Sequence, residues 1–115
     1  TTVKVRGNGK GGRNQHFILS FLNYVRKNII NIDLSRYLFS ICSFGTDGID
    51  GVSDAAGAIA DNWSIKFIEK NNIDTENFIK NSDSFTFFEK LDDVIITGPT
   101  GTNVTDVGVL IVDKR

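Results

Sequence analysis

Three glycine-bearing segments, at residues 7–12, 45–51 and 98–102, break runs of β-type sequence, and their placement constrains the fold more than any other feature. Before the first, Val3 and Val5 alternate with Lys4 and Arg6, the two-residue period of a half-buried strand. Beyond it the apolar spacing becomes three and four. Phe17, Ile18, Phe21, Leu22, Tyr24 and Val25 predict an amphipathic helix from Asn14 to about Asn28. Residues 37–44 are almost continuously apolar, the pattern of a strand covered on both faces. The small-residue stretch 55–60 fits either a buried strand or a helical turn. Helices are expected at 63–70, with Trp63, Phe67 and Ile68 on one side, and from an Asp74 or Thr75 cap through Ile79. Another is expected at 82–91, with Phe85, Phe88 and Leu91 on one face. Strands are expected at 93–97 and 104–112. This alternation within 115 residues predicts an α/β fold: one compact domain with a mixed β-sheet flanked by helices.

Composition removes several functions. Thirteen basic and fourteen acidic side chains leave a formal charge of −1, so no basic field exists to hold a nucleic acid backbone. No apolar run approaches the ~20 residues of a membrane span. Cys42 is the single cysteine, which rules out an internal disulfide and fits a small buried residue in a cytoplasmic setting. His16 is the single histidine, so a zinc site is not expected, and a cap or surface role is expected ahead of general base. The chain opens on Thr1, directly in a strand pattern, and reads as a piece of a larger protein.

Each glycine loop follows a predicted strand, where α/β folds tend to bind ligands. In the first, Gly7, Gly9 and Gly12 have G-x-G-x-x-G spacing between a strand and a helix start. The amides of Lys10, Gly11 and Gly12, with the helix N-terminus, can cradle an anion. Lys10 and Arg13 add full charges, and Arg13 can grip a carboxylate or phosphate through two parallel hydrogen bonds. Dinucleotide binding needs an acid at the end of the next strand, and Asp33 precedes that strand. The second loop carries Thr46, Asp47, Asp50 and Asp54, oxygen donors that suit Mg²⁺ or, alternatively, caps and turns of their own backbone. The third, Thr97-Gly-Pro-Thr-Gly-Thr-Asn103, sets hydroxyls and an amide beside two glycines, suiting a small polar ligand or a plain turn.

Taken together, Gly9-Lys-Gly-Gly-Arg-Asn-Gln15, Gly45-Thr-Asp-Gly-Ile-Asp-Gly51 with Asp54-Ala-Ala-Gly-Ala58, and Thr97-Gly-Pro-Thr-Gly-Thr-Asn-Val104 resemble the MOFRL domain. That domain forms the C-terminal part of the glycerate 2-kinase family, whose older label is hydroxypyruvate reductase. The resemblance implies a two-domain enzyme that transfers a phosphoryl group from ATP, with Mg²⁺, to the 2-hydroxyl of D-glycerate in the cleft between domains. The N-terminal domain is absent from this chain, so the 115 residues alone are expected to turn over little. Carried over by motif, Arg13 and Asn103 would be the catalytic pair facing the cleft, with Asp47 and Asp50 at its edge as Mg²⁺ candidates. Lys10, Gly11, Gly12, Thr46, Gly101 and Thr102 would contact substrate or phosphate. His16 stands where the family usually has Glu, which would remove a carboxylate supporting Arg13. The alternatives are a hydroxypyruvate reductase-type oxidoreductase fragment and a non-catalytic domain that binds a partner, with homo-oligomerisation left open.

Overall fold

Helix α1 (Arg13–Lys27) shows how the pattern becomes packing. Ile18, Leu19, Leu22 and Val25 fall on one side and are buried. Arg26 and Lys27 in the last turn complement the negative end of the helix dipole. Phe17 and Tyr24, expected within the apolar stripe, are exposed instead. The protein is described from a computed structural model, which covers residues 9–51, 53, 55–101 and 105–115; the strand expected at 3–6 lies outside the described residues.

After α1 come β1 (Tyr37–Gly45), β2 (Gly57–Asp61), α2 (Asn62–Lys70), α3 (Thr75–Lys80), α4 (Ser84–Leu91), β3 (Val94–Ile95) and β4 (Asp106–Lys114). The ambiguous stretch at 55–60 resolves as strand. The strands form one sheet in the order β3-β2-β1-β4. A mixed sheet was expected; every pairing among the described residues is antiparallel. The α/β class and the flanking helices hold.

Local signals set the helix starts. The Asp61 side chain accepts hydrogen bonds from Trp63 N and Ser64 N, and Ser64 Oγ accepts from Asp61 N in return, closing a capping box on α2. Asp74 caps α3 through Asn77 N at 3.2 Å, as its position predicts. On α2 the buried apolar side chains are Ile65 and Ile68, whereas Trp63 faces solvent.

The helices pack on the sheet face that carries Ile41, Ala58 and Ala60, and the core joins those residues to Ile18, Leu22, Ile65, Ile68, Phe87 and Phe88. Each large apolar side chain buried there contributes roughly 1.5–3 kcal/mol. Phe87 meets Phe78 and Phe88 edge to face, with centroids 5.7 and 4.9 Å away. One expectation fails. β1 reads as covered on both faces, but helices cover only one.

Candidate functional site

The antiparallel register pairs Gly45, at the end of β1, with Asp106, at the start of β4. The second and third loops must therefore meet at one rim. Thr46 N donates to Thr105 O at 3.0 Å, and Thr105 N donates back to Thr46 Oγ1 at 3.0 Å. Thr100 adds its Oγ1 to Thr46 O at 2.6 Å and its N to Asp47 O at 3.2 Å. Gly48 has φ of +82°, and a Cβ there would lie 2.1 Å from Gly98 O. Only glycine permits that approach.

The first loop joins from the helical layer. Gly9 N donates to Asn81 O at 3.0 Å, and Lys10 N to Asp83 Oδ1 at 3.0 Å. Phe85 N donates to Lys10 O at 2.8 Å. These bonds tie the loop to the start of α4. They also correct one expectation, because the Lys10 amide is already engaged and cannot serve an anion.

The start of α1 is capped from elsewhere in the chain. Gly12 occupies the N-cap position without a side chain to cap it. Asp50 reaches in from the second loop and takes over that role. One oxygen accepts from Asn14 N at 3.1 Å and Asn14 Nδ2 at 3.1 Å; the other accepts from Gln15 N at 2.9 Å and Gln15 Nε2 at 2.9 Å. Asp50 is 2% exposed. It sits at the positive end of the helix, and four N–H donors occupy its two oxygens. A Cβ at residue 12 would come within 2.3 Å of that carboxyl, so glycine is required for close approach here. Asp50 thus serves as the cap of α1.

Asn14 and Gln15 distribute this anchor. Asn14 Oδ1 accepts from Ser43 Oγ at 2.6 Å, and its Nδ2 also donates to Asp106 Oδ1 at 3.2 Å. Gln15 Nε2 reaches Ser53 Oγ at 3.0 Å. Gln15 Oε1 is buried with no partner. The reverse amide orientation would turn that oxygen toward the Asp50 carboxylate.

Arg13 is held at the mouth. Its Nε donates to Asp106 Oδ2 in an ion pair, and the guanidinium remains about half exposed. The hydrogen bond from Arg13 keeps the Asp106 carboxyl below the usual range; burial opposes it, and the bond from Asn14 adds a lesser lowering. Among the described residues nothing accepts from the terminal amino groups of Arg13. The amides of Gly11, Gly12 and Arg13 likewise have no acceptor among the described residues.

These groups border a cleft of about 470 Å³ that Gly11, Gly12, Arg13, Asn14, His16, Asp47, Ile49, Asp50, Gly51, Ser82 and Ser84 line. The sequence expectation for His16 changes here: it lines the cleft, and burial lowers its pKa and favours the neutral imidazole. Asp47 borders the cleft, but its Oδ1 accepts from Ile49 N at 3.0 Å within its own turn. Lys10, Thr46 and Gly101 are not among the lining residues. Asn103, Thr102 and Asp54 lie outside the described residues. Among the described residues no group of three or more His, Cys, Asp or Glu side chains could hold a metal ion. With Asp50 committed to the helix, these residues do not form a Mg²⁺ site.

Asn14, Asp106 and His16 are the site residues the motifs underplayed. Asp106 had one available signal, a carboxylate at the first position of a strand just beyond a glycine loop.

The fold and cleft define a two-layer α/β domain whose glycine loops converge at one rim, and no helix among the described residues is long and apolar enough to cross a membrane. The model of the MOFRL family matches residues 1–106. The chain belongs to that family. It is 42% identical over 113 residues to the D-glycerate 2-kinase of Thermotoga maritima, covering 96% of this chain and 25% of that protein. It is 44% identical over 108 residues to a glycerate 2-kinase of Picrophilus torridus, covering 93% and 22% respectively. The crystal structure of the Thermotoga maritima glycerate kinase aligns with a TM-score of 0.74 at 42% identity, over 97% of this chain and 24% of that one. A crystal structure of a Pyrococcus horikoshii protein aligns at 0.80 and 38% identity, over 96% and 24%. The chain thus spans about a quarter of the length of these relatives.

Proposed function

We propose that this domain forms one wall of a site where ATP phosphorylates D-glycerate at its 2-hydroxyl, with the other wall supplied by polypeptide beyond this quarter. The observation that carries the reading is Arg13, anchored through Nε to Asp106, whose terminal amino groups, like the neighbouring amides of Gly11 and Gly12, meet no acceptor among the described residues. That donor set suits a carboxylate or a phosphoryl group. Phosphoryl transfer depends on positioning and charge neutralisation, and fixed donors supply both.

In this reading Arg13 clamps the glycerate carboxylate or the transferring phosphoryl group. His16, held neutral by burial in the same cleft, can accept the proton that leaves the 2-hydroxyl. Asn103, in the third loop, orients the acceptor. No Phe, Tyr or Trp lines the cleft, so this wall does not stack an adenine. Mg²⁺ neutralises phosphate charge when bound; the described residues do not hold it, and no step here runs through it. A dinucleotide is disfavoured, because the Asp50 carboxylate already fills the helix N-terminus where its pyrophosphate would sit. A cytoplasmic setting, consistent with the single Cys42, belongs to the same reading.

The test is Arg13→Ala in an intact polypeptide carrying this domain. ADP release with D-glycerate and ATP should show kcat/KM lowered tenfold or more, about 1.4 kcal/mol of transition-state stabilisation. Unchanged kinetics would take Arg13 out of the mechanism.

A further inference from the structure

Among the described residues the helices clothe one side of β1 and β2, while β4 is exposed on both sides, with Leu110 and Val112 open on the helix side. Opposite the helices, the pairings bring Leu38, Cys42 and Phe44 of β1, Ile59 of β2, and Val109 and Ile111 of β4 onto a single face. Leu38 is 43% exposed, Ile59 38%, Val109 44% and Ile111 61%, with none of them in the core. The charged residues of these strands on that face, Asp61 and Asp113, stand together at one end. A groove lined by Leu38, Ser40 and Asp61 continues the face to exposed Trp63.

Water is not what this sequence is written for. Residues 37–44 and 107–112 lack the in-out alternation of a half-solvated antiparallel strand and read as strands buried on both faces. A sheet with helices on one side and an apolar opposite side is part of a thicker layered arrangement. Contiguous apolar surface of this kind marks an interaction site.

Its occupant is indicated by the relatives. The chain matches 25% of the Thermotoga maritima D-glycerate 2-kinase and 22% of the Picrophilus torridus enzyme, so most of each polypeptide lies outside this domain. We propose that the bare face centred on Cys42, Ile59, Val109 and Ile111 receives an apolar layer of that remaining polypeptide, leaving the loop rim open beside it. This assignment rests on the two-part reading above.

Cys42 lies between Ile59 and Val109 and is the chain's single cysteine, so its alkylation reports cover on this face. The chain is grafted in place of the matching quarter of the Thermotoga maritima enzyme, and iodoacetamide modification of the Cys42 peptide is followed by mass spectrometry. Alkylation should slow at least tenfold relative to the 115-residue chain alone. Ile111→Asp in the graft should restore the rate; Tyr24→Asp, an exposed site on α1, should not. The complementary three-quarters added in trans provides the same readout without a junction. Equal rates with and without that polypeptide overturn the proposal. Protection of the isolated chain that grows with its own concentration also overturns it and assigns the face to a second copy. Glycerate phosphorylation is measured in parallel. Activity with Cys42 unprotected defeats this inference alone, whereas protection without activity supports it and defeats the kinase reading.

Discussion

The loop rim and the bare sheet face lie at two extremes of the same small domain. At the rim, Asp50, Asn14, Thr46 and Asp106 each hold partners from distant parts of the chain. On the sheet face, Val109 and Ile111 meet solvent with no partner element. The rim can keep its geometry by itself because its bonds close within the domain. No described element covers Val109 and Ile111 on the face. A domain built this way can present a preorganised half-site while depending on further polypeptide for cover.

The largest effect expected from breaking this contrast is at Asp50. Asp50→Ala leaves four donors at the start of α1 without their acceptor, and should cost about 3 kcal/mol or more. Urea unfolding measures it, and an unmoved midpoint would show that the rim does not rest on this carboxylate. Arg13→Ala, next to Asn14 and bonded to the same Asp106, should behave differently, with the tenfold kinetic loss given above but little change in the urea midpoint because its ion pair is solvated.

A smaller effect concerns Asp93, which burial first, then the charges of Asp61 and Asp92, push up to about 6. The folded state then binds protons more tightly than the unfolded chain. The resulting contribution is complete below the ordinary carboxyl pKa of 3.8 and is lost as pH rises through about 6. Asp93→Asn should therefore stabilise the domain at pH 7.5 by about 1 kcal/mol, after discounting for solvent screening, and change little at pH 3.5. His16 runs the other way. Its lowered pKa means stability is present above the ordinary value of 6.5 and declines as pH falls below it, and His16→Gln should remove that component from a pH series of melting temperatures. Smallest of all, Ile111→Ser should leave stability within about 0.5 kcal/mol, since the side chain already faces water. A large loss there would mean that the face is internally supported.

Particular residues show what the sequence could reveal. Asp74 announced its helix because capping is local chemistry, and the helix at 13–27 followed from its period. The three loops were legible as turns because glycines and oxygen donors recur after predicted strands, and the structure joins the second to the first through Asp50 and to the third through Thr46. The role of Asp50 was not legible, since its helix lies 35 residues earlier in the chain and only the tertiary fold brings the two together. Trp63 and Phe17 misled for the converse reason: periodicity reports an apolar stripe, but the position of neighbouring elements decides which edge of it is buried. The continuous apolar run of β1 predicted two covered faces, and the domain supplies one.

The proposed anion site at the rim around α1 is open to one direct test. Titrating the ¹⁵N-labelled chain with inorganic phosphate and with D-glycerate, while following the backbone amides and the Arg13 Nε–H, tests it directly. Saturable shifts confined to Gly11, Gly12, Arg13 and the Arg13 side chain, and abolished by Arg13→Ala, are the predicted result. Shifts centred elsewhere, or surviving that substitution unchanged, would contradict it.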